Sequence, residues 1–165
     1  MTAVVGSLKG NGRLRPALDM PAAISAADLA TMTFAPIRWI VPDYIPDGLT
    51  ILAGKPKSGK SWMVLDIAAA VARGGYALGN QAVVGDVLYG ALEDAPRRLK
   101  GRMGKLMAGA AWPGRLQFWT GMERLEAGGL DQLRQWIATA PGPRLIVLDT
   151  FAKVRSPKGR DEGPY

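Results

Sequence analysis

The residues with the clearest chemical pattern lie between positions 54 and 61, where glycine, lysine and serine recur at fixed spacing. In order they are Gly54, Lys55, Pro56, Lys57, Ser58, Gly59, Lys60 and Ser61, which spell G-x-x-x-x-G-K-[ST] without a mismatch. Glycines let the backbone curl so that successive N–H groups point inward at phosphate oxygens. The pattern therefore predicts a phosphate-binding loop, and the predicted nucleotide contacts extend to Trp62.

The last two residues of this phosphate loop have separate predicted roles. Lys60 places a positive charge at the β- and γ-phosphates, which makes it a candidate catalytic residue. The Ser61 hydroxyl is placed to bind Mg²⁺, which bridges the same phosphates. The predicted cofactors are accordingly ATP and Mg²⁺. A chance match in a Gly-rich chain is the alternative, but the motif follows an apolar segment and opens a helical pattern, as its mechanism requires.

Acidic residues end two apolar segments further along the chain. Asp149 follows the apolar run 145–148, and Glu93 follows the run 87–92. Ligands of parallel α/β sheets bind at the carboxyl ends of the strands. We therefore predict that Asp149 binds Mg²⁺ together with Ser61, through water. The alternative is that Asp149 is an ordinary acid that starts a loop.

Glu93 is the predicted general base. Hydrolysis needs a group that orients and polarises a water in line with the γ-phosphate, and a carboxylate on a neighbouring strand can do so. We choose Glu93 over Asp94 because Asp94 is more simply explained as the N-cap of the helix that follows. The alternative for Glu93 is a surface acid that balances Arg97 and Arg98.

The composition restricts the chemistry further. The chain has 165 residues with no Cys and no His, which excludes disulfides, thiolate catalysis, imidazole bases and most zinc sites. Catalysis must therefore use carboxylates, Lys, Arg or the backbone. The net charge of +7 fits an anionic partner, either a nucleotide or a nucleic acid. No apolar run approaches the ~20 residues that cross a bilayer, so we expect no membrane partner and a cytoplasmic location.

Strand and helix patterns alternate through most of the chain, which predicts a parallel α/β sheet. Residues 1–36 predict a flexible arm with a short helix near 22–31, and residues 37–48 a lead-in that packs beside the core. The remaining residues, 37–165, form the predicted domain. Its predicted strands are 49–53, 87–92, 116–119 and 145–148. Its predicted helices are 60–72, one that begins near Pro96 with its basic residues on the exposed face, and 130–138 with an apolar face of Leu130, Leu133 and Ile137.

These motifs together resemble the RecA-like ATPases, most closely the RepA-type hexameric helicases and the plasmid- and phage-borne ATPases grouped with them. The resemblance is carried by residues 54–61, 88–96 and 145–150, and residues 151–160 look like the loop after the Walker B strand. It implies a three-layer fold with a mostly parallel sheet, a hexamer in the full-length form, and single- or double-stranded DNA as a partner. It also implies that Lys60 and Ser61 are the Walker A pair, Asp149 the Walker B residue and Glu93 the water-activating base.

The chain also departs from the RecA-like pattern. Thr150 follows the Walker B Asp, where AAA+ and ABC families place their catalytic Glu. RecA-like cores continue with further strands, a sensor and an Arg finger, so we expect a domain that is truncated after the Walker B strand. A missing central strand would expose apolar strand edges, which predicts low stability or direct pairing of the two Walker strands.

Two other functions stay open. The first is a nucleotide- or DNA-binding remnant without catalysis, whose basic residues track a phosphate backbone. The second is a small-molecule kinase, which shares the phosphate loop and would transfer phosphate to an acceptor rather than to water. The basic residues that a nucleic acid would contact are Arg97, Arg98, Lys100, Arg102, Lys105, Lys153, Arg155, Lys158 and Arg160.

Overall fold

The computed structural model describes residues 22–155. The chain divides into two units, residues 1–36 and 37–165. In the first unit, the helix predicted near residues 22–31 is confirmed as α1 (Ala26–Thr31). The side chain of Ser25 caps it, because its Oγ accepts a hydrogen bond of 3.1 Å from the Asp28 N–H. The flexible arm stays a prediction, and residues 1–21 lie outside the described residues.

Strands and helices alternate in the second unit. Their bounds are β1 (Trp39–Val41), β2 (Ile45–Pro46), α2 (Lys60–Arg73), β3 (Tyr76–Ala77), β4 (Asn80–Gln81), β5 (Asp86–Ala91), α3 (Pro96–Met107), β6 (Leu116–Trp119), α4 (Gly129–Thr139) and β7 (Pro143–Asp149). Short 3₁₀ turns follow β6 and β7 at Leu125–Ala127 and Phe151–Lys153. The predicted strands at 87–92, 116–119 and 145–148 and the predicted helices at 60–72 and 130–138 are confirmed. Within residues 22–155, no helix is long and apolar enough to cross a membrane.

Three parallel strands form the sheet that positions the site. Their order is β6-β5-β7, so β5 is bonded on both edges. The connections from β5 to β6 and from β6 to β7 run through α3 and α4, because parallel strands of one sheet need a crossover connection. Ala91 is paired with Asp149 in the register of β5 and β7. The carboxyl ends of these two strands therefore lie side by side.

Helices cover both faces of this sheet. Along β5, Val87 and Tyr89 belong to a buried cluster that includes residues of α2 and α3. Leu88, which points to the opposite face, packs with Leu133 and Trp136 of α4. The predicted α/β fold with a parallel sheet between helices is thus confirmed. The lead-in also packs as predicted, since its strand β1 contributes Ile40 and Val41 to the first cluster.

Residues 49–53, predicted to be the strand before the phosphate loop, form no strand. Leu49 is 90% exposed and Ile51 is 80% exposed. The predicted direct pairing of the two Walker strands is therefore also wrong, since β7 is bonded to β5 alone in the described sheet. A segment becomes a strand only when it bonds to a neighbour, and residues 49–53 do not bond to the outer edge of β7, the free edge beside the site.

The buried face of α4 also differs from the prediction. Leu133 is buried as expected, but Leu130 and Ile137 are 44% and 48% exposed. Trp136 is buried instead, and its Nε1 donates a hydrogen bond of 2.8 Å to Oε1 of Gln117 on β6. The helix is therefore rotated so that the large Trp ring packs on the sheet while its N–H retains a partner.

Candidate functional site

The phosphate loop has the backbone geometry of an anion cradle. Its N–H groups at residues 57–61 donate to no protein acceptor within residues 22–155. Two residues of the loop have positive φ, Lys57 at 61° and Gly59 at 88°. Gly59 is the N-cap of α2 and supplies no side-chain cap, so the helix begins with open N–H donors. Such donors, together with the positive end of the helix dipole, are suited to phosphate oxygens.

The Lys60 side chain folds back into this cradle. Its Nζ donates hydrogen bonds of 2.8 Å to the Gly54 carbonyl and 2.7 Å to the Lys55 carbonyl. It also lies 3.4 Å from Oγ of Ser58. The ammonium therefore stands beside the open N–H groups, where a bound phosphate would find a positive charge. The predicted position of Lys60 agrees with this geometry.

The structure brings together the two predicted metal residues. The Ser61 Oγ donates a hydrogen bond of 3.0 Å to Oδ1 of Asp149, although the residues are 88 positions apart. Ser61 is held by the first turn of α2, and Asp149 by the carboxyl end of β7. The peptide bond after Asp149 is cis. A hydroxyl and a carboxylate next to a phosphate site are the oxygen donors that Mg²⁺ prefers.

This donor set fits a magnesium ion that phosphate oxygens and water complete. In the described part of the chain, no group of three or more His, Cys, Asp or Glu could hold a metal ion by itself. Mg²⁺ is commonly held by one or two protein oxygens plus substrate phosphates rather than by a full protein cage. Ser61 and Asp149 would supply those protein oxygens.

Tyr89 is a member of the site that the sequence reasoning missed. Its hydroxyl donates a hydrogen bond of 2.7 Å to Oδ2 of Asp149. Burial, then the hydrogen bond to Asp149, raises the pKa of Tyr89 above its ordinary value of 10.0, so the hydroxyl keeps its proton. A signal was available in the sequence, because a Tyr inside a fully buried strand needs a partner for its hydroxyl.

Glu93 lies in the same cavity with its carboxylate available. The cavity has a volume of about 400 Å³ and is lined by Ser61, Trp62, Glu93, Asp94, Arg98, Arg102 and Asp149. Within the described residues the Glu93 carboxylate has no hydrogen bond or ion pair, while its backbone carbonyl accepts a bond of 3.0 Å from Arg98 Nη2. Glu93 is exposed, as its alternative reading as a surface acid expects, but it forms no ion pair with Arg97 or Arg98 among the described residues, and Arg98 pairs with Asp94 instead.

The role predicted for Asp94 is wrong. The N-cap of α3 is Ala95, which makes no side-chain cap bond. The Asp94 carboxylate forms ion pairs with Arg98 and Arg102, and its side chain is only 8% exposed. A buried carboxylate is more favourable with two guanidinium partners than as a cap, because the pairing offsets its loss of hydration.

Arg102 contacts two parts of the cavity lining, one on α2 and one between β5 and α3. Its side chain is 12% exposed, so the prediction that it lies on the exposed basic face of α3 is also wrong. The guanidinium carbon lies 5.1 Å from the centre of the Trp62 ring, within the range of a cation–π contact. Arg102 thereby contacts both Trp62, which follows Ser61 in the chain, and Asp94, which follows Glu93. Its Nε and Nη2 are buried without a hydrogen-bond partner among the described residues.

The comparisons with known proteins agree with this geometry. A family model described as an AAA domain matches residues 15–162. The chain belongs to the AAA domain family. The matched range includes every residue of the cavity and of the phosphate loop, and an AAA domain implies a P-loop ATPase module that binds nucleotide. Neither the curated proteins nor the solved structures contain a significant match to this AAA domain.

Proposed function

We propose that this AAA domain binds ATP together with Mg²⁺ and hydrolyses the bond to the γ-phosphate. One observation carries the proposal, namely the 3.0 Å contact between Ser61 Oγ and Asp149 Oδ1 at the end of the phosphate loop. Two oxygen donors that are distant in sequence meet where the loop would place the β- and γ-phosphates. That juxtaposition is what Mg²⁺-dependent phosphate chemistry needs.

The phosphate loop and three residues that line the cavity have distinct roles in this reaction. The loop N–H groups and Lys60 bind the phosphates, and Ser61 and Asp149 hold Mg²⁺, which neutralises phosphate charge as the terminal bond breaks. The Glu93 carboxylate accepts a hydrogen bond from the attacking water and orients it in line with that bond. Trp62 lies beside the loop and narrows the cavity on the side of Arg102.

Equilibrium binding of a fluorescent ATP analogue tests the first step. We expect binding to strengthen with Mg²⁺ and to weaken at least about 100-fold in Lys60→Ala, because the variant loses the charge at the phosphates. Lys100→Ala is the matched control, since Lys100 is exposed on α3 and lies outside the cavity lining. A folded Lys60→Ala variant that binds as tightly as the control would contradict the proposal.

Phosphate release in the same samples tests the second step. We expect Glu93→Gln to keep ATP binding and to lose about 10²- to 10⁴-fold in turnover, as removal of a general base does. Glu123→Gln is the control, because Glu123 is an exposed Glu outside the cavity. Equal turnover in the two variants would place the base elsewhere. Binding without phosphate release by the native chain would favour a non-catalytic domain, and phosphate on an acceptor would favour a kinase.

The wider activity is a further part of the proposal. We infer that the domain has a RecA-like strand arrangement and acts in a RepA-like helicase or a related replication or mobile-element ATPase, as a hexamer on DNA. The sequence resemblance and the net charge of +7 support this. The tests are stimulation of phosphate release by single- or double-stranded DNA, salt dependence of DNA affinity, and particle mass with ATP. No DNA effect at low salt would contradict the helicase assignment and leave the ATPase assignment standing.

A further inference from the structure

Tyr89 occupies a position from which it can control the geometry of Asp149. It lies in the middle of β5, and its side chain is fully buried, at 0% exposure. Its ring packs in the cluster that includes α2, with the Phe118 ring centre 5.8 Å away. Close packing around an aromatic ring restricts its rotation. The position of the hydroxyl is therefore fixed by the packing of the ring.

In this position the hydroxyl contacts the carboxylate of Asp149, the last residue of the neighbouring strand β7. The Tyr89 hydroxyl lies 2.7 Å from Oδ2 of Asp149 and 3.4 Å from the Ser61 carbonyl oxygen. A phenol has one proton to donate, and the shorter distance assigns it to Asp149. On the other side of the carboxylate, Oδ1 accepts the 3.0 Å bond from Ser61 Oγ. Each carboxylate oxygen therefore has its own donor.

The two donors differ in what Mg²⁺ would do to them. The Ser61 hydroxyl is itself a predicted ligand, and its oxygen would offer a lone pair to the ion while its proton stays on Oδ1. The Tyr89 hydroxyl is on the opposite oxygen and can keep its bond. Without it, the Ser61 hydroxyl alone would restrict rotation of the carboxylate about its side-chain torsions. Hydrogen-bond partners of metal ligands generally fix ligand orientation in this way.

We infer that Tyr89 is a positioning residue, which holds Oδ2 of Asp149 so that Oδ1 keeps facing Ser61 and the metal. The inference rests on the proposed function, because it concerns the same Mg²⁺ site. It goes beyond that function in assigning a role to a residue of the central strand that touches neither nucleotide nor metal. Tyr89 acts only through Asp149.

Tyr89→Phe tests the role, since it removes the hydroxyl and keeps the ring. The measured quantity is the ratio of ATP-analogue affinities with Mg²⁺ and with EDTA. We expect this ratio to fall about 10-fold, the lower end of the range for partners of metal ligands. We also expect the Mg²⁺ concentration for half-maximal turnover to rise. Tyr76→Phe is the matched control, because Tyr76 is 69% exposed on β3. A purely structural role would lower the melting temperature and leave the ratio unchanged.

A double-mutant cycle with Asp149→Asn identifies the path of the effect. If Tyr89 acts through the carboxylate, Tyr89→Phe has no further effect on the Mg²⁺ ratio in the Asp149→Asn background. An undiminished effect in that background would overturn the inference. If Mg²⁺ strengthens binding equally in the native chain and in Tyr89→Phe, the inference is overturned and the proposed function stands. A folded native chain without any Mg²⁺ effect would overturn the proposed function as well.

A reporter that keeps the hydroxyl covers the case in which Tyr89→Phe does not fold. 3-Fluorotyrosine incorporated at position 89 retains both the ring and the donor. We expect its ¹⁹F resonance to shift when Mg²⁺ is added to the nucleotide complex, because the ion draws charge from the carboxylate that the phenol contacts. We expect no such shift in Asp149→Asn. A ¹⁹F resonance that does not shift when Mg²⁺ is added in the native background would overturn the inference.

Discussion

Two apolar segments precede the two halves of the site, and only one of them is a strand. Residues 145–148 form most of β7, which is bonded to β5 and places Asp149 beside Ala91. Residues 49–53 precede the phosphate loop and have a similar apolar composition, yet they form no strand and are exposed. The comparison shows that an apolar sequence becomes a strand only where a neighbour bonds and covers it.

The same comparison shows how the phosphate loop is held. The loop receives no ladder hydrogen bonds from the segment before it. The helix after it is firmly anchored, because Leu65, Ala68 and Val71 of α2 are 0% exposed. In addition, Lys60 Nζ bonds the carbonyls of Gly54 and Lys55. The geometry of the loop is therefore set from its carboxyl-terminal side.

Hydrogen exchange gives the largest expected contrast between the two segments. We expect amides in the centre of β5 to exchange at least about 10³-fold more slowly than those of residues 49–53, because β5 opens only with the core. Native-state exchange followed by mass spectrometry or NMR measures this. Similar protection in both segments would show that residues 49–53 are bonded in solution, which would remove the contrast.

Truncation of one leucine in each region gives the next largest effect. Leu88 is 0% exposed and Leu49 is 90% exposed. We expect Leu88→Ala to lower the free energy of unfolding by about 3 kcal/mol, since it leaves a cavity between β5 and α4. Leu49→Ala should change it by less than about 0.5 kcal/mol. Urea unfolding of both variants measures the difference, and comparable losses would contradict the exposed position of Leu49.

Buried and exposed ion pairs extend the comparison to charges. Arg102 and Asp94 are 12% and 8% exposed, whereas Arg134 and Asp131 are 68% and 78% exposed. We expect Arg102→Gln to lower the free energy of unfolding by about 2 kcal/mol, because Asp94 keeps only Arg98 as a partner. Arg134→Gln should cost no more than about 0.5 kcal/mol. Equal effects in urea unfolding would mean that Asp94 is hydrated in solution.

The smallest predicted effect is a dependence of stability on high pH. The pKa of Tyr89 is raised in the folded state above its ordinary value of 10.0. The unfolded chain therefore loses this proton first, and the contribution to stability is complete below pH 10 and declines above it. We expect the native chain to lose about 1 kcal/mol more than Tyr89→Phe between pH 10 and pH 11, without Mg²⁺ or nucleotide. Tyr76→Phe should lose as much as the native chain in the same unfolding series.

Much of the site was predictable from local sequence. The fixed spacing of residues 54–61 predicted a phosphate-binding loop. In the structure this loop has open N–H groups, and the Lys60 side chain folds back into it. The position of an acid after each of two apolar runs predicted that Asp149 and Glu93 lie near the carboxyl ends of strands, and both line the cavity. These features were readable because each depends on residues adjacent in the chain, where backbone geometry limits the outcomes.

Other features depended on contacts between distant residues and could not be read in advance. Asp94 had the local features of an N-cap, but two arginines of α3 bind it more strongly than the first turn of the helix does. Leu130 and Ile137 had the spacing of a buried face, but the bulk of Trp136 determined which side of α4 meets the sheet. In both cases a tertiary contact outweighed a weak local preference.

The sequence by itself determined the chemistry of this AAA domain: a phosphate loop, a Lys, a hydroxyl and two acids, with no His or Cys to offer another route. Only the tertiary structure decided that Ser61, Tyr89 and Asp149 form one hydrogen-bonded group, and that residues 49–53 stay outside the sheet. The physical reason is that residue types fix which groups can react, while strand pairing and burial fix which of them meet.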